Sequence, residues 1–216
     1  ADHPDKKKIM LAAHMDEIGM QVKKIESDGR IKVCNVGWIW TSSLYNDKVV
    51  FRNGTIGVVG CEGPIEEAKN NSGKLYIDIG CTTKEDTEKY VKVGDYCGFI
   101  GNYYELKNGR ITAKSFDNRV GCYILIEALK QNKGDGPNDV YYVFTVQEEV
   151  GCRGAVVSAE RIKPDMGISV DVTPDHFYPT DLEGANAVGE GVGISVGNPS
   201  AMLDEYLVDE MIACCE

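Results

Sequence analysis

The feature that most constrains the fold is a long run of short β-type segments set between two stretches of a different pattern. From Ile18 to about Gly109 the turn signals SDG, RNG and KNG separate the runs MQVKKI, RIKVCNV, KVVFR, IGVVG, LYIDIG and YCGFIG. This pattern predicts a compact all-β module. Only TTKEDTEKYV departs from it, because Thr83 followed by acidic residues resembles the start of a helix.

The flanking stretches alternate apolar strands with helices. KIMLAAH (8–14) is typical of a buried strand, and after Arg110 the chain predicts a helix in SFDNRVGCYILIEALKQ, a strand in NDVYYVFTVQ, a short helix in AVVSAERIKP and a buried strand in DMGISVDVT. Such alternation favours an α/β fold with a mixed, largely parallel sheet and flanking helices. We therefore predict an α/β domain from residues 1–18 and 109–216, with a β-barrel-like domain of residues 19–108 inserted into it.

Composition narrows the choice of partners and location. With 34 acidic against 23 basic residues, the net charge of −11 offers no basic surface for nucleic acid or an anionic membrane. No targeting segment is recognisable, and the eight cysteines contain no CxxC pair, so we expect a cytoplasmic protein with reduced, mostly buried thiols rather than disulfides or a zinc knuckle. The chain begins with Ala and ends inside a predicted helix, which suggests a fragment truncated at both ends.

Polar residues that could bind a ligand follow the predicted strands. In α/β sheets ligands bind beyond the carboxyl ends of the strands. The candidates are His14 with Asp16, Asp117, the pair Glu148 and Glu149, and Asp171. Each has a simpler interpretation: a surface histidine beside a solvated acid, a carboxylate at a helix N-terminus, or a strand end that enters solvent. A carboxylate that ends a buried strand is nevertheless costly unless it is paired or bound to metal.

Taken together, the candidates point to metal chemistry. His14, Asp117, Glu149 and Asp171 come from four different elements and supply imidazole and hard oxygen ligands without cysteine. The neighbouring carboxylates of Glu148 and Glu149 point in different directions, so one can bind a cation while the other stays free as a general base. This is the composition of a two-metal hydrolytic centre, in which the ions lie about 3.5 to 4 Å apart.

Four motifs resemble those of a known family. AAHMDEIGM (12–20), SFDNRVGC (115–122), FTVQEEVGCRGA (144–155) and SVDVT (169–173) occur in the order found in dinuclear metallo-aminopeptidases related to glutamyl and deblocking aminopeptidases, the group that includes the tetrahedral aminopeptidases. The resemblance runs from about Lys8 to about Gly193. It implies a zinc-peptidase-like fold, an inserted dimerisation domain that contains LYIDIG and VGDYCGF, and homo-oligomers that are dimers or dodecamers.

The resemblance also implies a role for each candidate. His14 and Asp171 would bind one metal ion, Asp117 would bridge the two ions, and Glu149 would bind the second, the ions being zinc or cobalt. The expected activity is release of N-terminal residues from peptides by an activated water.

Two further residues would act without binding metal. Glu148 would be the general base that takes the proton of the attacking water and returns it to the leaving amine. Asp16 would hold His14 in place.

One family feature is missing from the sequence. The second metal of the family has a further histidine near the C-terminus, whereas this chain has only His3, His14 and His176. We therefore expect weak occupancy of the second metal and little or no activity from these 216 residues alone.

Two alternative functions stay open. The first is a metallohydrolase on the same scaffold with another scissile bond, because some family members have been labelled endoglucanases or cellulases. The second is an inactive, truncated assembly subunit.

Overall fold

The computed structural model describes residues 6–68, 72–176, 186–197 and 202–215. The chain divides into two compact units, Ala1–Asp171 and Val172–Glu216. The strands are β1 (Lys8–His14), β2 (Gly19–Ile25), β3 (Ile31–Val36), β4 (Lys48–Phe51), β5 (Ile56–Cys61), β6 (Leu75–Asp78), β7 (Tyr96–Phe99), β8 (Tyr104–Glu105), β9 (Ile111–Thr112), β10 (Asp139–Thr145) and β11 (Met166–Ser169). The α-helices are α1 (Lys84–Thr87), α2 (Phe116–Gln131), α3 (Arg153–Ile162) and α4 (Glu205–Ala213). Short 3-10 helices span Thr41–Leu44, Ile65–Ala68, Ser72–Lys74 and Lys107–Gly109.

A parallel sheet in the order β10-β1-β11 confirms the α/β prediction. His14 lies opposite Thr145 and Ala12 lies opposite Ser169, so the three strands end at the same edge. The helix α2 packs on this sheet through Cys122 and Leu125. The antiparallel strand that a mixed sheet needs is not among the described residues.

The β-rich stretch closes into a barrel of six antiparallel strands, in the order β2-β3-β6-β5-β4-β7. Its strands begin at Gly19 and end at Phe99, within the predicted 19–108 module. Alternate residues point inward and form the larger of two apolar cores, because successive side chains of a strand face opposite sides. Its fully buried members include Met20, Ile31, Val49, Val59, Leu75 and Ile77. A barrel-like module is therefore confirmed, while the domain boundaries and the dimerisation role stay predictions.

Two of the four described α-helices begin at a side-chain N-cap, and the cap of α1 is the predicted Thr83. Thr83 precedes α1, and its hydroxyl accepts a hydrogen bond of 3.2 Å from the backbone N–H of Asp86. Asp204 caps α4 by accepting one of 3.1 Å from the N–H of Leu207. Both follow the preference of short polar side chains for the N-cap position.

Two other expectations need adjustment. All eight cysteines are free, as predicted, but only Cys97 and Cys122 are buried, so "mostly buried" was too broad. The strands β10 and β11 are half-buried or exposed rather than fully buried, because both are edge strands in the described sheet. Among the described residues, no helix combines the length and hydrophobicity needed to cross a membrane.

Candidate metal centre

The common edge of the parallel sheet brings the predicted residues together. His14 is the last residue of β1, the two glutamates follow β10, and Asp171 follows β11. Because β1 is the central strand, His14 lies between the loops that follow its two neighbours. The parallel arrangement of the strands thus places residues that are far apart in the sequence in one cluster.

The His14 imidazole is 2% exposed and faces three carboxylates. Its Nε2 lies 2.9 Å from Asp117 Oδ1, 3.7 Å from Glu148 Oε2 and 3.8 Å from Asp171 Oδ1. Two groups of three residues could each hold a metal ion, because the ligand atoms within each group lie within 4.8 Å of one another. One group contains His14, Glu148 and Glu149, and the other contains His14, Asp117 and Asp171. The described residues therefore offer two adjacent positions for a cation.

Asp117 is held in place by its neighbour. Its own backbone is extended, with ψ of 105°, before the regular turns of α2 begin. The next residue, Asn118, is fully buried. Its amide donates a hydrogen bond of 2.8 Å to the carbonyl of Val170 and accepts one of 3.1 Å from the N–H of Gly121. Asn118 thereby ties the start of α2 to the residue that precedes Asp171.

Asp16 has a role broader than the predicted one. Its carboxylate accepts hydrogen bonds from the backbone N–H groups of Glu148 and Glu149, each at 3.2 Å. His14 Nδ1 lies 3.5 Å from Asp16 Oδ1 and 3.2 Å from the Asp16 carbonyl oxygen. One side chain therefore fixes the turn that carries both glutamates and also faces the histidine ring.

The electrostatics of the cluster favour a cation. Burial and the neighbouring Asp117 carboxylate raise the pKa of Glu149 to about 7. Burial alone would lower the pKa of His14, but the carboxylates of Asp171, Glu148 and Asp117 outweigh it, so this pKa is raised. Both shifts report crowded negative charge, which a divalent ion would relieve. A buried imidazole among hard oxygen donors fits a divalent metal ion.

Sequence reasoning missed two residues that support the cluster. Glu17 accepts hydrogen bonds from Lys114 Nζ at 2.9 Å and from the Ser115 hydroxyl, which joins the segment after β1 to the segment before α2. Gly37, after β3, has a φ of +83° and little room for a side chain, because a Cβ would lie 2.8 Å from Ile18 Cγ2 and 3.1 Å from the Cβ of Glu149. Glu17 lies inside the quoted HMDEIG motif, whereas nothing in the sequence around Gly37 signals this approach.

The chain has two further histidines, His3 and His176. His176 belongs to the second compact unit, where its Nδ1 is buried without a hydrogen-bond partner among the described residues. His3 lies outside the described residues.

Curated proteins are similar to this chain in sequence. A "Putative aminopeptidase" of Acetivibrio thermocellus is 41% identical over 197 residues, which cover 91% of this chain and 59% of that protein. A lysyl aminopeptidase of Pyrococcus furiosus is 36% identical over 77% of this chain and 51% of its own length. The chain thus spans a little over half the length of these curated relatives.

Solved structures give the same result. A TET aminopeptidase from a marine sediment archaeon of the Thaumarchaeota has a TM-score of 0.87 at 32% identity, over 99% of this chain and 64% of its own. An endoglucanase of Thermotoga maritima has a TM-score of 0.77 at 33% identity, over 97% and 64%. The TET1 peptidase of Pyrococcus horikoshii, which can assemble into a tetrahedron or a large octahedral shell, has a TM-score of 0.79 at 30% identity, over 96% and 65%.

The family model described as M42 glutamyl aminopeptidase matches residues 1–216. This match covers every element that contributes to the cluster around His14. The chain belongs to the M42 glutamyl aminopeptidase family.

Proposed function

We propose that the protein to which this chain belongs is a metal-dependent aminopeptidase that releases N-terminal residues from peptides. The observation that carries the proposal is the buried His14, with Asp117, Glu148 and Asp171 arranged around its Nε2 within 3.8 Å. Family membership gives the reaction class, and the cluster supplies groups that this reaction needs.

The proposed metal ligands are His14, Asp117, Glu149 and Asp171. Asp117 is the proposed bridge, because it lies closest to His14 and its carboxylate also raises the pKa of Glu149. Two zinc or cobalt ions held there would polarise the scissile carbonyl and make a water more acidic.

Glu148 is the proposed general base. Its Oε1 accepts a hydrogen bond of 3.3 Å from the Cys152 thiol, while its Oε2 faces His14. A carboxylate oriented in this way can take the proton of the attacking water and return it to the leaving amine. Asp16 acts indirectly, since it holds the backbone of both glutamates.

Hydrolysis of aminoacyl chromogenic amides by the full-length protein tests this function. Wild type should be active and lose activity in a chelator, whereas Glu148→Gln should lower kcat by at least about a hundredfold while metal binding persists. An unchanged rate in that variant would exclude Glu148 as the base. No activity in the wild type would favour an inactive assembly subunit.

The endoglucanase alternative rests on the name of a structural neighbour, and the cluster speaks against it. Glycosidases place two carboxylates on either side of a sugar and generally use no dinuclear metal. Here five carboxylates gather around one buried histidine. Chelator-sensitive cleavage of a soluble glucan, without cleavage of an aminoacyl amide, would reverse this choice.

We also propose that the barrel mediates homo-oligomerisation into dimers, which could combine into dodecamers. Light scattering would measure the mass of the assembly. The proposal is supported by the TET1 neighbour, which assembles into shells. A monomer at micromolar concentration would contradict it.

A cytoplasmic location is proposed from the unpaired cysteines, and cell fractionation tests it.

A further inference from the structure

The barrel presents two exposed tryptophans next to the metal centre. Trp38 is 68% exposed and Trp40 is 55% exposed, and their ring centroids lie 4.8 Å apart in an edge-to-face arrangement. Ile39 between them is only 5% exposed and belongs to the barrel core. Both indoles are therefore exposed, while the side chain between them is buried in the barrel. Two adjacent exposed aromatic rings are a candidate binding surface.

The segment that carries the pair is fixed on both sides. Ile39 is anchored in the core, and the carbonyl of Trp40 accepts hydrogen bonds from the N–H and the hydroxyl of Ser43, at 3.0 and 2.8 Å. The next residue, Thr41, is buried and donates its hydroxyl hydrogen bond to the carbonyl of Ala68. The backbone that carries the two indoles is thus fixed, which lowers the entropy cost of ordering this segment around a ligand.

Gly37 places the pair beside the cluster. With φ of +83°, a Cβ at this position would lie 2.8 Å from Ile18 Cγ2 and 3.2 Å from Glu149 Oε2. The barrel backbone therefore touches a proposed metal ligand. Consecutive Cα atoms are about 3.8 Å apart, so Trp38 begins one residue away from that contact.

We propose that Trp38 and Trp40 form the apolar wall that receives the side chain of the substrate's N-terminal residue. The inference rests on the proposed function. The free amine of a peptide would bind at the metal centre around His14 in its neutral form, while the side chain of the same residue branches one carbon away. An aliphatic or aromatic side chain would then cover the indoles, so the site selects apolar N-terminal residues.

The test uses binding rather than turnover. The probes are L-leucine hydroxamate and glycine hydroxamate, which share a metal-chelating head and differ only in the side chain. Both are offered to the full-length protein with saturating Zn²⁺. Trp38 and Trp40 are the only two tryptophans of these 216 residues, so an emission change that is lost in Trp38→Ala and Trp40→Ala is assigned to the pair. Affinities come from calorimetry.

Wild type should bind the leucine probe about tenfold more tightly than the glycine probe, with a change in tryptophan emission. Trp38→Ala and Trp40→Ala should reduce this ratio to about threefold or less and leave the affinity for the glycine probe within a factor of about two. Trp38→Phe should keep most of the ratio, because it retains an aromatic face. Tyr90→Ala, which removes another exposed barrel aromatic of 51% exposure, should leave it unchanged.

Each contrary result has a distinct meaning. Equal affinities for the two probes in wild type, or a leucine preference that survives Trp38→Ala and Trp40→Ala, would overturn the inference and leave the metal centre standing. Failure of both probes to bind would remove the proposed function together with the inference. An emission shift on dilution without any probe would show that a second copy covers the pair, and would also overturn it.

Discussion

At the scale of the residue, side chains that bind no metal help to shape the cluster. Asn118 carries no charge, yet its buried amide joins the segment of Asp117 to the segment of Asp171. Glu17 does the same for the segments that follow β1 and precede α2. The ligand types were predictable from His, Asp and Glu at strand ends, but these supporting contacts span 52 to 98 residues of sequence and depend on how the chain folds back.

Replacing Asn118 tests the first of these contacts. Asn118→Ala leaves the carbonyl of Val170 and the N–H of Gly121 without their partner in a buried site, and should lower the free energy of unfolding by roughly 2 kcal/mol. Urea denaturation measures the change. Asn102→Ala is the matched control, because Asn102 is exposed and should cost less than about 0.5 kcal/mol. Equal effects of the two substitutions would show that the Asn118 contacts add nothing to stability.

The Glu17 contact makes a prediction about pH. Burial would raise the pKa of Glu17, but hydrogen bonds from Ser115 and Lys114 outweigh it and hold the pKa below its usual value. A lowered pKa in the folded state adds stability that is present at neutral pH and is lost as the pH falls below about 4.5.

Glu17→Gln should therefore lower the free energy of unfolding by about 1 kcal/mol at pH 7, a value reduced because the side chain is partly exposed. The loss should become smaller as the pH falls toward 4. Unfolding curves across this range check the trend. Glu88→Gln, which removes an exposed pair with Lys84, is the control and should show little pH dependence. A Glu17→Gln effect that grows as the pH falls would contradict the assignment.

At the scale of the element, the turn between β10 and α3 decides where the two glutamates lie. Hydrogen bonds of 2.9 Å from Cys152 N to the Glu148 carbonyl and 3.0 Å from Gly154 N to the Val146 carbonyl close the turn. A Cβ on Gly154 would lie 2.7 Å from the backbone nitrogen of Val146. The glycine is therefore required by close packing of helix against strand.

Gly154→Ala should force α3 away from β10, lower the free energy of unfolding by about 1 to 3 kcal/mol and weaken metal binding. Gly136→Ala is the matched control, since no heavy atom lies within 4 Å of a Cβ there. Thermal unfolding and metal titration of both variants test the prediction. A Gly154→Ala protein with wild-type stability and metal affinity would contradict it.

At the scale of the whole molecule, the hydrophobic pattern of the sequence predicted the barrel and the parallel sheet but not the order of the strands within the sheet. Turn signals and short alternating runs anticipated the barrel, and apolar strands with helices anticipated the parallel sheet. The central position of β1 was not readable, because strands of similar hydrophobicity exchange places without changing the pattern. The approach of Gly37 to Glu149 was equally hidden, since it joins a barrel loop to the sheet edge.

The central claim is that the two adjacent glutamates have separate roles, with Glu149 as a ligand and Glu148 as a base. The structure gives this claim a demanding test, because both carboxylates lie within ligand distance of His14. Calorimetric titration of Zn²⁺ into wild type, Glu148→Gln and Glu149→Gln separates them most directly. We predict that Glu149→Gln weakens zinc binding by at least about tenfold, while Glu148→Gln changes it by less than about threefold. Equal losses in the two variants would contradict the account.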